Sequence, residues 1–135
     1  MNRPLLLAAT DPNSIYLLRR YAEESGFSLV HAREGKEILP LARRARPAAI
    51  LVETGLPGLS GRDLLRDLRA EDATRGIPVV VCCYSEDEAD WQAQDVAGCL
   101  QHPILLDHFL AVLQRAGIAS PGLVSAGRRR RRSDR

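Results

Sequence analysis

The chain has 135 residues, 45% apolar and 27% charged, which suits one globular domain with a real core and a short appendage. No apolar run approaches the ~18 residues that cross a bilayer, and the patch after Met1 meets Thr10-Asp11-Pro12 too soon for a signal peptide. A cytoplasmic protein with no membrane span is expected. The net charge of +2 divides unevenly: residues 128–135 hold six arginines and one acid, +5, leaving the body at −3, not basic enough for a nucleic-acid-binding domain.

Short apolar runs alternate with amphipathic segments along the chain. Leu5 to Ala9 predicts a first strand. Asp11-Pro12 opens a helix, with Asp as N-cap and Pro at the first helical position. Ile15, Leu18, Ala22 and Ser25 share one face of it, and Gly26 ends it. Residues 27–32 predict a second strand and Gly35 to Ala45 a second helix. Residues 48–53 form a third strand, and their unbroken apolar character suits burial on both faces of a parallel sheet. This strand ends on a carboxylate, Glu53, just before a Pro57-Gly58 turn.

A third helix begins near Gly61, carries Leu64, Leu65 and Leu68, and ends near Gly76. Residues 77–83 are a fourth strand. Ser85-Glu86-Asp87-Glu88 has the pattern of a capping box and opens a fourth helix, which carries Trp91. Residues 99–103 make a short fifth strand, and Leu105, Phe109 and Leu113 line a last helix. Five strands and five helices in alternation imply an α/β fold, a parallel sheet covered on both sides. From Ala119 onward Ser, Pro and Gly give way to like charges, which cannot offset the entropy of ordering. The expected division is a domain over residues 1–119 and a flexible arginine-rich tail over 120–135, with no internal repeat.

Cys82, Cys83 and Cys99 lack the spacing of a zinc site, and side chains adjacent on a strand point to opposite faces, so small buried hydrophobes are expected. His31 and His108 have no second ligand at metal spacing and are expected to be solvated or capping.

In open parallel sheets function gathers at the carboxyl ends of the strands. There the chain carries Ala9-Thr10-Asp11, Glu53-Thr54, Cys83-Tyr84 and His102-Pro103. With the segments "LLLAATDPN", "PAAILVETGLPGLSGRDLLRDLR", "IPVVVCCYS" and "HPI", residues 4–116 resemble the receiver domain of two-component response regulators. The resemblance implies a flavodoxin-like doubly wound sheet of order 2-1-3-4-5 and a role in bacterial-type phosphorelay signalling, not enzymatic turnover. No glycine-rich phosphate loop follows the first strand, which argues against an enzyme of the flavodoxin-like class. Family members hold Mg²⁺ with two acids after the first strand and accept a phosphoryl group on an Asp ending the third. A Thr or Ser ending the fourth strand and a Lys before a proline then bind the phosphoryl oxygens.

At these positions the resemblance puts Ala9 and Thr10 in place of the acid pair, with Asp11 beside them, and Glu53 in place of the acceptor. It puts Cys83 at the hydroxyl, bulky Tyr84 after it, Cys99 at the switch aromatic, and His102 at the lysine before Pro103. The expectation is a degenerate, stand-alone pseudo-receiver with no cofactor, weak or lost Mg²⁺ binding and no catalytic residue. It would act by protein–protein interaction independent of phosphorylation, with Trp91 on the family's usual partner face. His102 and Thr10 are the expected partners of the Glu53 carboxylate. A reversible Cys83–Cys99 bond between neighbouring strands is a further expectation of the resemblance. Two rival readings remain: a working phosphorelay receiver using an atypical acid, and a regulator that meets nucleic acid or an anionic surface through Arg128, Arg129, Arg130, Arg131 and Arg132.

Overall fold

Five short apolar runs build one parallel sheet in the computed structural model, which describes residues 3–83 and 96–118. The strands are β1 (Leu5–Ala8), β2 (Leu29–Ala32), β3 (Ala49–Glu53), β4 (Val79–Cys83) and β5 (Gly98–Gln101), in the order β2-β1-β3-β4-β5. Four helices are described: α1 (Pro12–Glu24), α2 (Gly35–Ala45), α3 (Gly61–Arg69) and α4 (Leu106–Arg115). The helix expected from Ser85, the residues Tyr84 and Trp91, and the tail over 120–135 with Arg128 to Arg132 lie outside the described residues.

Alternation along the strands divides the core between the two faces of the sheet. Leu5, Leu7, Ala9, Leu51 and Leu100 point to the side covered by α1 and α4, where Leu18, Ala22, Phe109 and Leu113 meet them. Leu6, Ala8, Ile50, Val52 and Val79 point to the other side, onto Ile38, Ala42, Leu64, Leu65 and Leu68 of α2 and α3. Each fully buried Leu or Ile contributes roughly 1.5–3 kcal/mol. Both faces of β3 are occupied, which is why its sequence shows no polar alternation.

Local chemistry sets the helix starts. The Asp11 carboxylate accepts from the Ser14 N–H at 3.0 Å to cap α1. Glu37 reaches back to the Glu34 N–H at 2.9 Å at the start of α2. The third helix stops at Arg69, short of Gly76, because the chain then turns: the Thr74 hydroxyl, fully buried, donates to the Leu68 carbonyl at 2.7 Å. Leu105 does not line the last helix. It occupies the N-cap position with an extended backbone and is 63% exposed, and the buried stripe is Phe109, Val112 and Leu113. Cys83 and Cys99 lie on the adjacent strands β4 and β5, with Cys99 opposite Val81 and Cys83 opposite Gln101.

The loop after Glu53 packs tightly on the start of α2. The Gly35 N–H donates to the Pro57 carbonyl at 2.8 Å. A Cβ on Gly35 would strike the Gly58 carbonyl oxygen and lie 2.8 Å from the Leu59 Cα, both backbone atoms with little freedom to yield. Gly35→Ala is therefore expected to cost about 1–3 kcal/mol, as overpacking generally does. Gly76→Ala, with nothing within 4 Å of the new methyl, should be close to neutral. Thermal denaturation of the two variants checks this; equal melting temperatures would contradict it.

Candidate functional site

The strand-end cleft is built from three loops. β1 delivers Ala9, Thr10 and Asp11, β3 delivers Glu53, and β5 leads to His102 and Pro103. Ala9 is fully buried in the α1 and α4 side of the core. Its carbonyl accepts from His31 Nε2 at 2.8 Å, so that ring nitrogen carries the proton. His31 is thus tied to the backbone at the end of β1. The residue that directly follows β1 brings a methyl group to the core.

Glu53 is half-buried at the tip of β3, and its side chain crosses to the β1–α1 turn. Its Oε1 accepts from the Thr10 N–H at 3.1 Å, the Thr10 hydroxyl at 3.3 Å and the Asp11 N–H at 3.4 Å. These donors precede the first turn of α1, whose N–H groups favour negative charge. The carboxylate therefore acts as a tie between β3 and the start of α1. Thr10 supplies two of the three donors. The Asp11 N–H is a partner that sequence reasoning missed, because a main-chain donor leaves no mark in residue type.

Asp11 faces the other way. Its Oδ2 accepts from the Ser14 N–H at 3.0 Å and the Ser14 hydroxyl at 2.9 Å. These bonds to Ser14 hold the Asp11 carboxyl below its ordinary value of 3.8, and the electrostatic pull of His102 adds to the effect. His102 joins Pro103 through a cis peptide, and with Asp11, Asn13 and Leu17 the pair lines a shallow cleft of about 350 Å³. The described position of His102 is thus beside Asp11, while the hydrogen bonds described for Glu53 come from Thr10 and Asp11.

A carboxyl whose folded pKa is depressed adds stability that is complete above its unfolded value. That contribution is lost as pH falls through the lower folded value. Asp11→Ala should lower the melting temperature at neutral pH, and the gap to wild type should narrow below pH 3.8. Asp11→Asn, which keeps a capping oxygen, should show a smaller gap. Melting curves across pH test the point; a gap independent of pH would contradict it.

The remaining candidates are less gathered. Cys82 is buried, and Cys99, partly buried, lies on β5 away from Glu53. Among the described residues no three His, Cys, Asp or Glu side chains assemble a metal-binding group. His108 lines a separate polar cleft with Cys99, Gln101 and Arg115 beside β5. Among the described residues no helix is long and apolar enough to cross a membrane.

Comparison with known proteins agrees with this architecture. The model of the response regulator receiver domain matches residues 5–113. The polar-differentiation response regulator DivK of Brucella anthropi is 28% identical over 117 residues, which cover 84% of this chain and 95% of that protein. A sensor protein from Polaromonas sp. JS666 superposes with a TM-score of 0.75 at 28% identity, covering 86% of this chain and 96% of that one. The receiver domain of a sensor histidine kinase from Pseudomonas aeruginosa PAO1, whose own cleft coordinates magnesium, has a TM-score of 0.76. Its 20% identity, over 87% of this chain and 99% of that one, speaks to the fold alone. With the sheet order and the match over residues 5–113 in agreement, the chain belongs to the response regulator receiver domain family.

Proposed function

We propose that this receiver domain is a degenerate one that transmits its signal through protein contact without being phosphorylated. The observation that carries the reading is the Glu53 carboxylate, whose Oε1 is held by the Thr10 N–H and hydroxyl and by the Asp11 N–H. Those bonds engage the acid with the turn that would otherwise present metal ligands. Glutamate also displaces the carboxylate by about one bond length, roughly 1.5 Å, relative to aspartate.

The donor set is a poor one for Mg²⁺, because the two carboxylates at the cleft, Glu53 and Asp11, each have an oxygen engaged by the protein itself. That ion demands octahedral oxygen ligation, commonly with one or two carboxylates. Ala9 and Thr10 bring no carboxylate, and Asp11 Oδ2 is committed to Ser14. Cys83 and His102 stand where the family senses a phosphoryl oxygen, and Cys99 lacks the ring of an aromatic switch. A ligand shifts a conformational equilibrium only through differential affinity, and these replacements remove most of it.

Quantitative capture of partner proteins by the full chain, with and without an acyl phosphate and Mg²⁺, tests the reading. Expected are equal affinities in both conditions, Glu53→Gln within a few-fold of wild type, and a large loss in Trp91→Ala. Capture by the wild type that needs the phosphodonor would favour the rival working receiver. A second reading rests on the uneven charge, +5 over residues 128–135 against −3 for the body. Contact with nucleic acid or an anionic surface through Arg128 to Arg132 should fall steeply with salt and vanish when those arginines are replaced.

A further inference from the structure

A groove of about 430 Å³ lies between α1 and the end of β2, on a different stripe of α1 from the one facing His102. It shares Ala9 and Thr10 with the strand-end cleft and opens on the opposite side of them from Asp11 and His102. Pro12, Ile15 and the ring of Tyr16 give it an apolar wall, and Tyr16 is 60% exposed, unusual for a large side chain of this domain. His31 also lines it, with Nε2 donating to the Ala9 carbonyl. β2 is an edge strand, paired only with β1 among the described strands.

The charge at this groove has one sign. Arg19 and Arg33 line it, and no acid does. By contrast Arg20 pairs with Glu24, Arg43 with Glu71, Arg66 with Asp63 and Arg75 with Asp72. Neither the Arg19 nor the Arg33 guanidinium has a hydrogen bond or ion pair among the described residues. An apolar wall with two unmatched guanidinium groups is complementary to an apolar side chain flanked by carboxylates, which guanidinium groups can bind bidentately.

We infer that this groove docks a short acidic peptide segment of a partner protein, with one large apolar side chain seated on Pro12, Ile15 and Tyr16. Its carboxylates pair with Arg19 and Arg33. The inference rests on the reading of the domain as a protein-binding module, and it locates a contact separate from the face around Trp91. An open groove at a sheet edge suits an extended peptide better than an enclosed small molecule.

The test uses ¹⁵N-labelled full chain titrated with the acetylated, amidated peptide Glu-Asp-Leu-Phe-Glu-Asp. Expected are amide shifts clustered at residues 9–19 and 31–33, and a loss of affinity of about tenfold or more in Arg19→Gln with Arg33→Gln. Tyr16→Ala should also weaken binding, and a peptide with Gln and Asn replacing the acids should fail to bind. Binding that survives Arg19→Gln with Arg33→Gln but is lost when Arg128 to Arg132 become Ser would overturn the inference, as attraction to the tail alone. Benzoate matching the peptide's affinity, or the same shifts arising from self-association without peptide, would overturn it as well. Phosphodonor-independent capture of the partner that ignores both arginines sinks the groove and leaves the functional reading intact. Phosphodonor-dependent capture instead sinks the functional reading on which the groove depends.

Discussion

Phe109→Ala is expected to destabilise the domain by about 3–5 kcal/mol, the usual loss for a truncated core aromatic. Phe109 has no exposed surface and is central to the cluster that joins α4 to the sheet. Its ring meets the Tyr21 ring with centroids 5.7 Å apart at 47°, a tilted contact that adds to the area buried. Tyr21 in turn donates its hydroxyl to the Ile104 carbonyl at 2.9 Å, so one side-chain stack ties α1 to the loop carrying His102 and Pro103. Removing the ring leaves a cavity that two helices and a strand cannot close together. Against a typical total stability of about 5–15 kcal/mol, the loss is a third or more in most cases. Denaturant unfolding measures it. A cost under about 1 kcal/mol would mean that the stack is not the joint between α1 and α4.

The second large effect concerns phosphoryl chemistry. On the proposed reading, in which Glu53 stands at the acceptor position, Glu53→Asp is expected to remain unmodified by an acyl phosphate in the presence of Mg²⁺. The shorter side chain corrects a displacement that alone costs on the order of a hundredfold in rate. It cannot supply the missing metal ligands, because the Ala9 methyl remains in the core and Thr10 brings only a hydroxyl. Without the ion the developing charge loses a counter-charge worth several kcal/mol. Glu53→Asp also withdraws the acceptor from the Thr10 and Asp11 N–H groups, and Glu53→Ala removes it. Both should loosen the β1–α1 turn, with Glu53→Gln, which keeps an oxygen in place, the mildest of the three. Backbone hydrogen exchange at Thr10 and Asp11 reads this order directly. Faster exchange in Glu53→Gln than in Glu53→Ala would contradict the tie.

Much of this architecture was legible in the sequence, for physical reasons. The unbroken apolar runs around Leu51 and Val80 could be satisfied only inside a sheet covered on both faces, and both residues are fully buried. Asp11-Pro12 and Gly35 to Ala45 marked helix limits through capping and pattern, and the helices begin where those signals stand. Pro40 sits inside α2 without ending it, because the apolar stripe of Ile38 and Ala42 outweighs the lost main-chain bond. The end of α3 was less legible. Its stop depends on Thr74 turning inward to the Leu68 carbonyl, a tertiary bond with no local sequence mark. Leu105 misled for a similar reason, since its spacing matches the buried stripe but its backbone is still extended.

In the cleft, the sequence pattern places Glu53 at the end of the third strand and Ala9 and Thr10 just after the first, where the structure has them. Their bonding was not legible there, because it depends on which way the β1–α1 turn aims its N–H groups. The groove at Arg19 and Arg33 was invisible for another reason: those residues lie on α1 and just after β2, and only the pairing of β1 with β2 brings them together.

The central claim, signalling without phosphorylation, is tested most directly by the intact mass of the wild-type chain after incubation with acetyl phosphate and Mg²⁺. The account predicts an unmodified mass at every time point, identical to that of Glu53→Gln treated in parallel. A phosphoryl adduct on the wild type that is absent from Glu53→Gln would contradict it.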